Sequence, residues 1–280
     1  MLQINVSADI KSVVRQLNNF AEKQIPFATA MALNDACRIA KADLQSEMNS
    51  VFDRPVPRTV NSVRIKFATK ANIQATVSLD SEPNKGIAPV QYLAAEIEGG
   101  GRNYKRFERA LRAKGLLPAG MYITPGSAAP LDAYGNIPGG FVTQLLSYFQ
   151  AFGEQGYKAN MTKKRKAKIH GIKRSAKGYK TITGAMYFVA NGKGRAAHLP
   201  PGIYKKTGTH GVSVVPLILF VRKPSYKVRF PFDAIVHKSI EQNFRHCFED
   251  RMQKASWSAR IGPPRASVPR TFYAVGAGGS

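Results

Sequence analysis

Residues 200–244 read PPGIYKKTGTHGVSVVPLILFVRKPSYKVRFPFDAIVHKSIEQNF and place two strand patterns in front of one helix pattern. The first strand pattern covers 202–207, and the second covers the apolar run at 214–221. The helix pattern begins near Phe232, because apolar side chains then recur every three or four residues. Pro216 falls inside the second strand, so this strand lies at a sheet edge or its proline sits at a bulge. An edge strand would be free to pair with another chain.

Helix and strand patterns are mixed along the rest of the chain as well. Apolar residues at helical spacing predict helices at 10–20, 26–50, 89–97, 103–115 and 139–153. Alternating apolar residues predict strands at 2–6, 63–67, 73–79 and 185–190, and the middle two form a hairpin. Pro26 suits the first position of the long second helix. We therefore predict an α+β fold with N-terminal helices, an antiparallel sheet and a C-terminal amphipathic helix.

The length of 280 residues and the hydrophobic content of 44% fit one large domain or two small ones. We predict a single α+β domain over residues 1–255, with a long insertion at about 80–185 that includes a basic loop at 155–184. Proline and glycine dominate residues 256–280, which show no periodicity. That composition predicts an extended C-terminal arm that a neighbouring chain orders, or else an unattached tail.

Positive charge is concentrated in one part of the sequence. The chain has 42 Lys and Arg residues against 17 Asp and Glu residues, which gives a formal charge of +25. Residues 155–232 contain 18 of the Lys and Arg residues and no acidic residue, and ten of those 18 lie in residues 158–180. Because residues 158–180 contain almost no large apolar side chains, we predict an exposed, mobile loop that is extended by self-repulsion.

A charge run of this density favours contact with a polyanion, either the phosphates of nucleic acid or an acidic protein surface. A solvated loop that only aids solubility is the alternative. No helix-turn-helix, zinc-finger or RNA-recognition pattern accompanies the charge, so sequence-specific readout is not indicated. The candidate polyanion-binding residues are Lys163, Lys164, Arg165, Lys166, Lys168, Lys173, Arg174 and Lys177.

The composition argues against membrane and disulfide-rich classes of protein. No apolar run approaches the roughly 18–20 residues of a membrane span, and the start MLQINVSADI lacks the order of a signal peptide. We therefore expect a soluble protein that is assembled in the cytoplasm, without a membrane partner. Cys37 and Cys247 are too few for a disulfide framework, and the helix patterns around them predict small buried side chains. No pair among the five histidines has the spacing of a zinc site.

The sequence offers no set of residues for catalysis. It contains neither GxxxxGK[ST] nor GxSxG. Glu96 and Glu98 are the nearest acidic pair, but two positions apart on a helix they point to different sides. His210 lies on a predicted loop with no acidic partner that can be named, and pairing His198 with Lys205 is equally unsupported. We expect no enzymatic activity, no metal and no cofactor, and catalysis through Glu96, Glu98 and His210 is a rival hypothesis.

Two parts of the chain carry a resemblance to a known family. IPFATAMALN at 25–34 opens a long Ala-rich helix, and residues 200–244 supply the two strands and the terminal helix. This order resembles the minor tail protein Z group of tailed bacteriophages, also called tail-completion proteins. Members of that group are small basic proteins that act near the junction of tail and head. The segment at about 80–185 is longer than that group leads us to expect, and its role is unassigned.

The resemblance implies a structural virion protein of the tail or neck, assembled in the host cytoplasm, that completes the tail for joining to the head. A rigid core with extended arms is typical of subunits in closed rings. The implied partners are further copies of the chain in a ring, neighbouring neck and tail proteins, and genomic DNA in the channel as a candidate. The candidate subunit-interface residues are Ile203, Tyr204, Pro216, Phe272 and Tyr273.

A non-sequence-specific nucleic-acid-binding protein is the alternative function. It would coat DNA or RNA as a monomer or small oligomer, with steeply salt-dependent binding centred on residues 158–180. The ring hypothesis instead predicts that neutralising Lys163, Lys164, Arg165 and Lys166 leaves subunit association intact.

Overall fold

The computed structural model of the chain describes residues 20–82 and 86–260. The predicted strand at 2–6, nearly all of the predicted helix at 10–20, and residues 261–280 of the predicted arm lie outside the described residues. Within the described residues the fold is α+β with a long C-terminal helix, so the predicted fold class is confirmed.

Helices and strands are mixed along the described chain. The α-helices are α1 (Ile25–Val51), α2 (Pro57–Val60), α3 (Pro89–Ile97), α4 (Arg106–Ala113), α5 (Gly139–Tyr148), α6 (Lys163–His170) and α7 (Phe232–Arg260). The strands are β1 (Val63–Lys66), β2 (Thr76–Leu79), β3 (Gly100–Gly101), β4 (Met121–Pro125), β5 (Ile172–Arg174), β6 (Lys180–Ala190), β7 (Gly202–Thr209), β8 (Ser213–Arg222) and β9 (Ser225–Tyr226). A π-helical turn, Phe20–Gln24, precedes α1, and 3₁₀ turns form at Glu154–Ala159 and Gly194–Ala196.

Backbone contacts divide the described chain into two compact units. The first unit comprises described residues up to 42, residues 65–77 and residues from 236 onward. The second unit comprises residues 43–64 and the described part of 78–235. The single domain over residues 1–255 stays a prediction.

The first unit is built on small side chains of α1. Ala32 and Ala36 are buried against Cys247 of α7, and Ile240 and Phe244 pack on the same cluster. The 3.6-residue repeat of small residues therefore lets the two helices approach closely. Both cysteines are buried and unpaired, as predicted.

The second unit is built on a five-stranded antiparallel sheet in the order β4-β8-β7-β6-β5. Phe107 and Leu111 of α4 and Leu145 of α5 pack with Ile203 and Ile218 of the central strands. Apolar residues at helical spacing on the helices thus meet buried residues of the strands in one core. The smaller pairs β1-β2 and β3-β9 form separate two-stranded sheets. The β1-β2 pair is the predicted hairpin of residues 63–67 and 73–79, which is therefore confirmed.

The structure distinguishes the two alternatives predicted for the strand that contains Pro216, an edge strand or a bulge at the proline. β8 lies between β4 and β7, so the prediction of an edge strand is wrong. Along the β7–β8 pair, Ile203 faces Ile218 whereas Tyr204 faces Pro216, which leaves Leu217 as an extra residue. The alternative of a bulge is therefore confirmed.

The outer edge of β4 is closed by the chain itself. Glu108 of α4 is fully buried and accepts a hydrogen bond from the Ile123 N–H of β4 at 2.9 Å. It also accepts two bonds from the Arg102 guanidinium, at 2.7 and 2.6 Å, and one from the Lys105 N–H at 2.6 Å. Burial favours the neutral acid, but these bonds outweigh it and lower the pKa of Glu108 below its ordinary value. The carboxylate thus blocks an edge at which another strand could add.

Candidate polyanion-binding surface

The basic segment is folded along most of its length, so the prediction of an extended loop at 155–184 is wrong. After the 3₁₀ turn, α6 contains five of the predicted site residues. The Thr162 hydroxyl caps this helix by accepting a hydrogen bond from the Arg165 N–H at 3.3 Å. Gly171 ends it in the left-handed conformation, with φ at 54°. The N-cap at Thr162 and the C-cap at Gly171 therefore define a helix in a segment whose charge density had predicted a loop.

The remaining predicted site residues follow directly on β5 and its turn. Lys173 and Arg174 lie on β5, an outer strand of the large sheet whose three residues are all exposed. Arg174 faces Lys180 across the β5–β6 pair. Lys177 lies in the connecting turn, which the Ser175 N–H closes by donating to the Tyr179 carbonyl at 2.9 Å. A helix, a strand and a turn in direct succession thus carry the eight predicted residues.

Contacts with the sheet hold α6 in place. Ile169 packs on the core of the second unit, and the Thr183 hydroxyl donates to the Gly171 carbonyl. A side chain at Gly184 of β6 would overlap the Ile169 carbonyl oxygen, so glycine is needed for this close approach. The cations of α6 therefore lie on a helix that is packed against the sheet.

A tyrosine–histidine contact joins the last turn of α6 to the core. His170 Nε2 lies 2.8 Å from Tyr148 Oη, which also accepts a hydrogen bond from the Tyr187 N–H at 3.2 Å. Burial, followed by the charges of Lys180 and Lys166, lowers the pKa of His170 below its ordinary value. Burial raises the pKa of Tyr148. The His170 ring is therefore uncharged at neutral pH, and its tautomer sets which of Tyr148 Oη and His170 Nε2 donates in this contact.

The positive charge of this surface is not neutralised by carboxylates within residues 20–82 and 86–260. Among the described residues, none of the ion pairs includes a cation from 158–180. Lys166 is half-buried with its ammonium 5.0 Å from the centre of the Tyr148 ring. The other predicted cations are exposed. Clustered, exposed cations without carboxylate partners attract phosphates or carboxylates of another molecule.

A groove separates α5 from α6 and has a volume of about 610 Å³. The side of α5 that lines it is uncharged, with residues at positions i, i+3, i+4 and i+7 of one helical face: Gly140, Thr143, Gln144 and Ser147. The side of α6 that lines it is basic, with Arg165, Lys168 and Ile169 at i, i+3 and i+4. Ala159 and Met161 complete the lining. None of the described residues that line this groove carries a carboxylate. This groove could not be predicted from the sequence, because its α6 wall lies in the segment predicted to be a loop.

The structure corrects part of the predicted subunit interface. Ile203 and Tyr204 are only 0% and 3% exposed, because β7 is the central strand of the sheet. Tyr204 also stacks on Phe188 and donates its hydroxyl hydrogen to the Pro200 carbonyl at 2.9 Å. These two side chains serve the chain's own core and present no surface to a neighbour. Pro216 is half-buried at its bulge.

The two aromatic residues Phe272 and Tyr273 of the predicted interface lie outside the described residues.

The residues of the rival catalytic hypothesis have other roles where they are described. Glu96 pairs with Arg229 through two bonds of 2.8 and 2.9 Å. Glu98 ends α3. His210 lies in the β7–β8 turn with φ at 53°, its ring 5.2 Å from that of Tyr179. No hydrogen bond or ion pair joins these three residues to one another.

The described residues contain neither a metal-binding cluster of side chains nor a membrane-spanning helix. No group of three or more His, Cys, Asp or Glu side chains within residues 20–82 and 86–260 could hold a metal ion. Across the same described ranges, none of the helices combines the length and apolar character needed to cross a membrane.

No family model, curated protein or solved structure matches the chain. Its function must therefore be inferred from its residues and their geometry.

Proposed function

We propose that this chain is a structural virion protein of a tailed bacteriophage. In this proposal it forms part of a ring at the neck or upper tail and takes part in joining the head to the tail. The start of the Ala-rich helix at 25–34 and the strand–helix unit at 200–244 occur in an order that resembles the minor tail protein Z group, and this resemblance supports the proposal. The fold agrees with this order, since α1, the β7–β8 pair and α7 lie at the expected places.

The exposed cations of α6, β5 and the turn supply the proposed activity, which is binding of a polyanion. They are held on folded elements and lack carboxylate partners among the described residues. Genomic DNA in the channel, or the acidic surface of an adjoining ring, would neutralise them. Contact through phosphates carries no sequence information, and a protein of the tail channel must accept every sequence of the genome.

In this proposal the ring forms through side-chain packing and the predicted C-terminal arm at 256–280. The large sheet has little unpaired strand edge to which a strand of another copy could add. β8 is paired on both sides, and Glu108 blocks the outer edge of β4. The other outer strand, β5, is three residues long and carries Lys173 and Arg174. Two such strands from different copies would repel each other.

Non-sequence-specific binding of nucleic acid, without a role in a virion, is the second candidate function. The same cation cluster favours it, and the two functions differ in oligomeric state. Sedimentation of the full chain separates them, because the ring function requires a closed oligomer and the coating function a monomer or small oligomer.

Neutralising the surface tests whether it is separate from the ring contact. Replacing Lys163, Lys164, Arg165 and Lys166 by Gln should leave the sedimentation coefficient of the oligomer unchanged while DNA binding falls. Loss of the oligomer in this variant would mean that α6 lies in the subunit interface. Retention of full DNA binding would mean that the basic surface is not the polyanion site.

A further inference from the structure

The groove between α5 and α6 has the composition of a site for one nucleotide rather than for a bare phosphate. One wall is cationic, through Arg165 and Lys168, and the opposite wall offers the Gln144 amide and the Thr143 hydroxyl oxygen. The Thr143 hydroxyl hydrogen is donated to the Gly139 carbonyl at 3.0 Å. Ile169 adds an apolar surface. A nucleotide has the matching parts, since its phosphate is anionic and its base has a hydrogen-bonding edge and two apolar faces.

The size of the groove restricts what can enter it. Its volume of about 610 Å³ falls within the roughly 300–1,000 Å³ that is typical of small-ligand pockets. A duplex can only lay its phosphates along the rim, because its bases are stacked and paired. A single strand can turn one unstacked nucleotide into the groove.

Gly140 keeps the groove open on the α5 side. It shares a helical face with Thr143 and Gln144, three and four residues later. A Cβ added at Gly140 would meet no atom within 4 Å outside its chain neighbours and its own helix backbone. Because Gly140 lines the groove, we expect a larger side chain there to occupy part of it.

We infer that this groove binds one nucleotide of a single-stranded nucleic acid, with the phosphate against Arg165 and Lys168 and the base beside Gln144. The inference deepens the proposed polyanion-binding function and rests on it. It assigns to two of the α6 cations a role that the neighbouring Lys163 and Lys164 lack, because only Arg165 and Lys168 line the groove.

Fluorescence anisotropy with the full chain and a labelled single-stranded 12-nucleotide DNA tests this inference. Gly140→Leu should weaken binding about tenfold, since the leucine would displace the base from Gln144, and a hydrogen-bonded base edge is worth about tenfold or more in affinity. Gly139→Leu is the matched control, because a Cβ at Gly139 also meets no atom within 4 Å but that residue does not line the groove. It should bind as the wild type does.

A second pair of variants separates the groove from general electrostatics. Arg165→Gln with Lys168→Gln and Lys163→Gln with Lys164→Gln remove the same charge from one helix. The first pair should lose about tenfold more affinity for the single strand than the second. Circular dichroism and thermal melting establish that all variants are folded.

The ligand comparison completes the test. At equal salt the wild type should prefer the single strand over the matching duplex, although counterion release alone favours the duplex. Free deoxyadenosine monophosphate should compete with the strand for the wild type, and absence of competition would overturn a site for one nucleotide. Equal binding of polyglutamate, or wild-type affinity in Gly140→Leu, would overturn the groove site and leave the basic surface intact. Failure of the wild type to bind any polyanion would overturn both proposals.

Discussion

Removal of the exposed charges of α6 should change the salt dependence of DNA binding by a predictable amount. For duplex DNA, the slope of log affinity against log salt is about −0.9 per phosphate neutralised. If all eight predicted cations contact phosphates, the wild-type slope is about −7, and affinity falls about 10⁴-fold between 50 and 200 mM salt. Four of these cations, Lys163, Lys164, Arg165 and Lys168, are exposed on α6. Replacing all four by Gln should reduce the slope to about −3.6 and the fall to about 10²-fold.

Lys166 should contribute less to this slope than its exposed neighbours. Its ammonium already lies over the Tyr148 ring, 5.0 Å from the ring centre, and the side chain is half-buried. Moving it onto a phosphate would break that cation–π contact. Lys166→Gln alone should therefore change the slope by less than the roughly 0.9 expected for Lys163→Gln.

The assay is titration of a labelled DNA by anisotropy at four or more salt concentrations. The matched control removes four exposed cations of the first compact unit, by replacing Lys23, Lys66, Lys70 and Lys238 with Gln. This control should keep the wild-type slope. An unchanged slope in the α6 variant, or an equal reduction in the control, would refute the assignment of the polyanion site to this surface.

Three further predictions concern stability and pH. Glu108→Gln should lower the free energy of unfolding by about 3 kcal/mol, because it leaves the Arg102 guanidinium without its buried partner; thermal melting would show a fall of about 6–12 °C. The free energy of unfolding should decline as the pH falls below 6.5. The pKa of His170 is lowered in the folded chain, so the unfolded chain binds a proton there at a higher pH than the folded chain does. His170→Gln should flatten this decline, measured by urea titrations at several pH values. Gly184→Ala should cost about 1–3 kcal/mol, because its methyl group would overlap the Ile169 carbonyl.

Each of these predictions has a result that contradicts it. Wild-type stability in Glu108→Gln would show that the carboxylate is not needed at the β4 edge. An equally steep decline below pH 6.5 in His170→Gln would assign the titration to another group. Gly139→Ala is the control for Gly184, since open space surrounds it, and equal effects of the two changes would exclude a specific clash.

The long helices and the central strands could be predicted from the sequence because their side-chain periodicity is strong. The α1 pattern and the α7 pattern each repeat an apolar face over many turns. β4 was missed because it lies in a segment rich in proline and glycine, where short strands leave no alternation. Its partner β8 supplies the pairing that holds it, and this information lies almost 100 residues away in the sequence.

The location of the candidate site could be predicted, but its form could not. Charge density alone identified the cations, whereas their fold depends on the Thr162 cap, the Gly171 stop and packing on Gly184. Those signals are local and were outweighed by the expectation that dense charge prevents folding. The prediction that Ile203 and Tyr204 lie at an interface fails because the strand order, which makes β7 the central strand, cannot be predicted from the sequence.

Quantitative mass spectrometry of purified particles tests the proposed function most directly. The particles would come from the virus or induced prophage whose genome carries this coding sequence. A fixed copy number of about six or twelve per particle is expected for a closed ring at the neck or tail. Absence of the chain from particles would contradict a structural role in the virion and favour a nucleic-acid-binding protein made during infection.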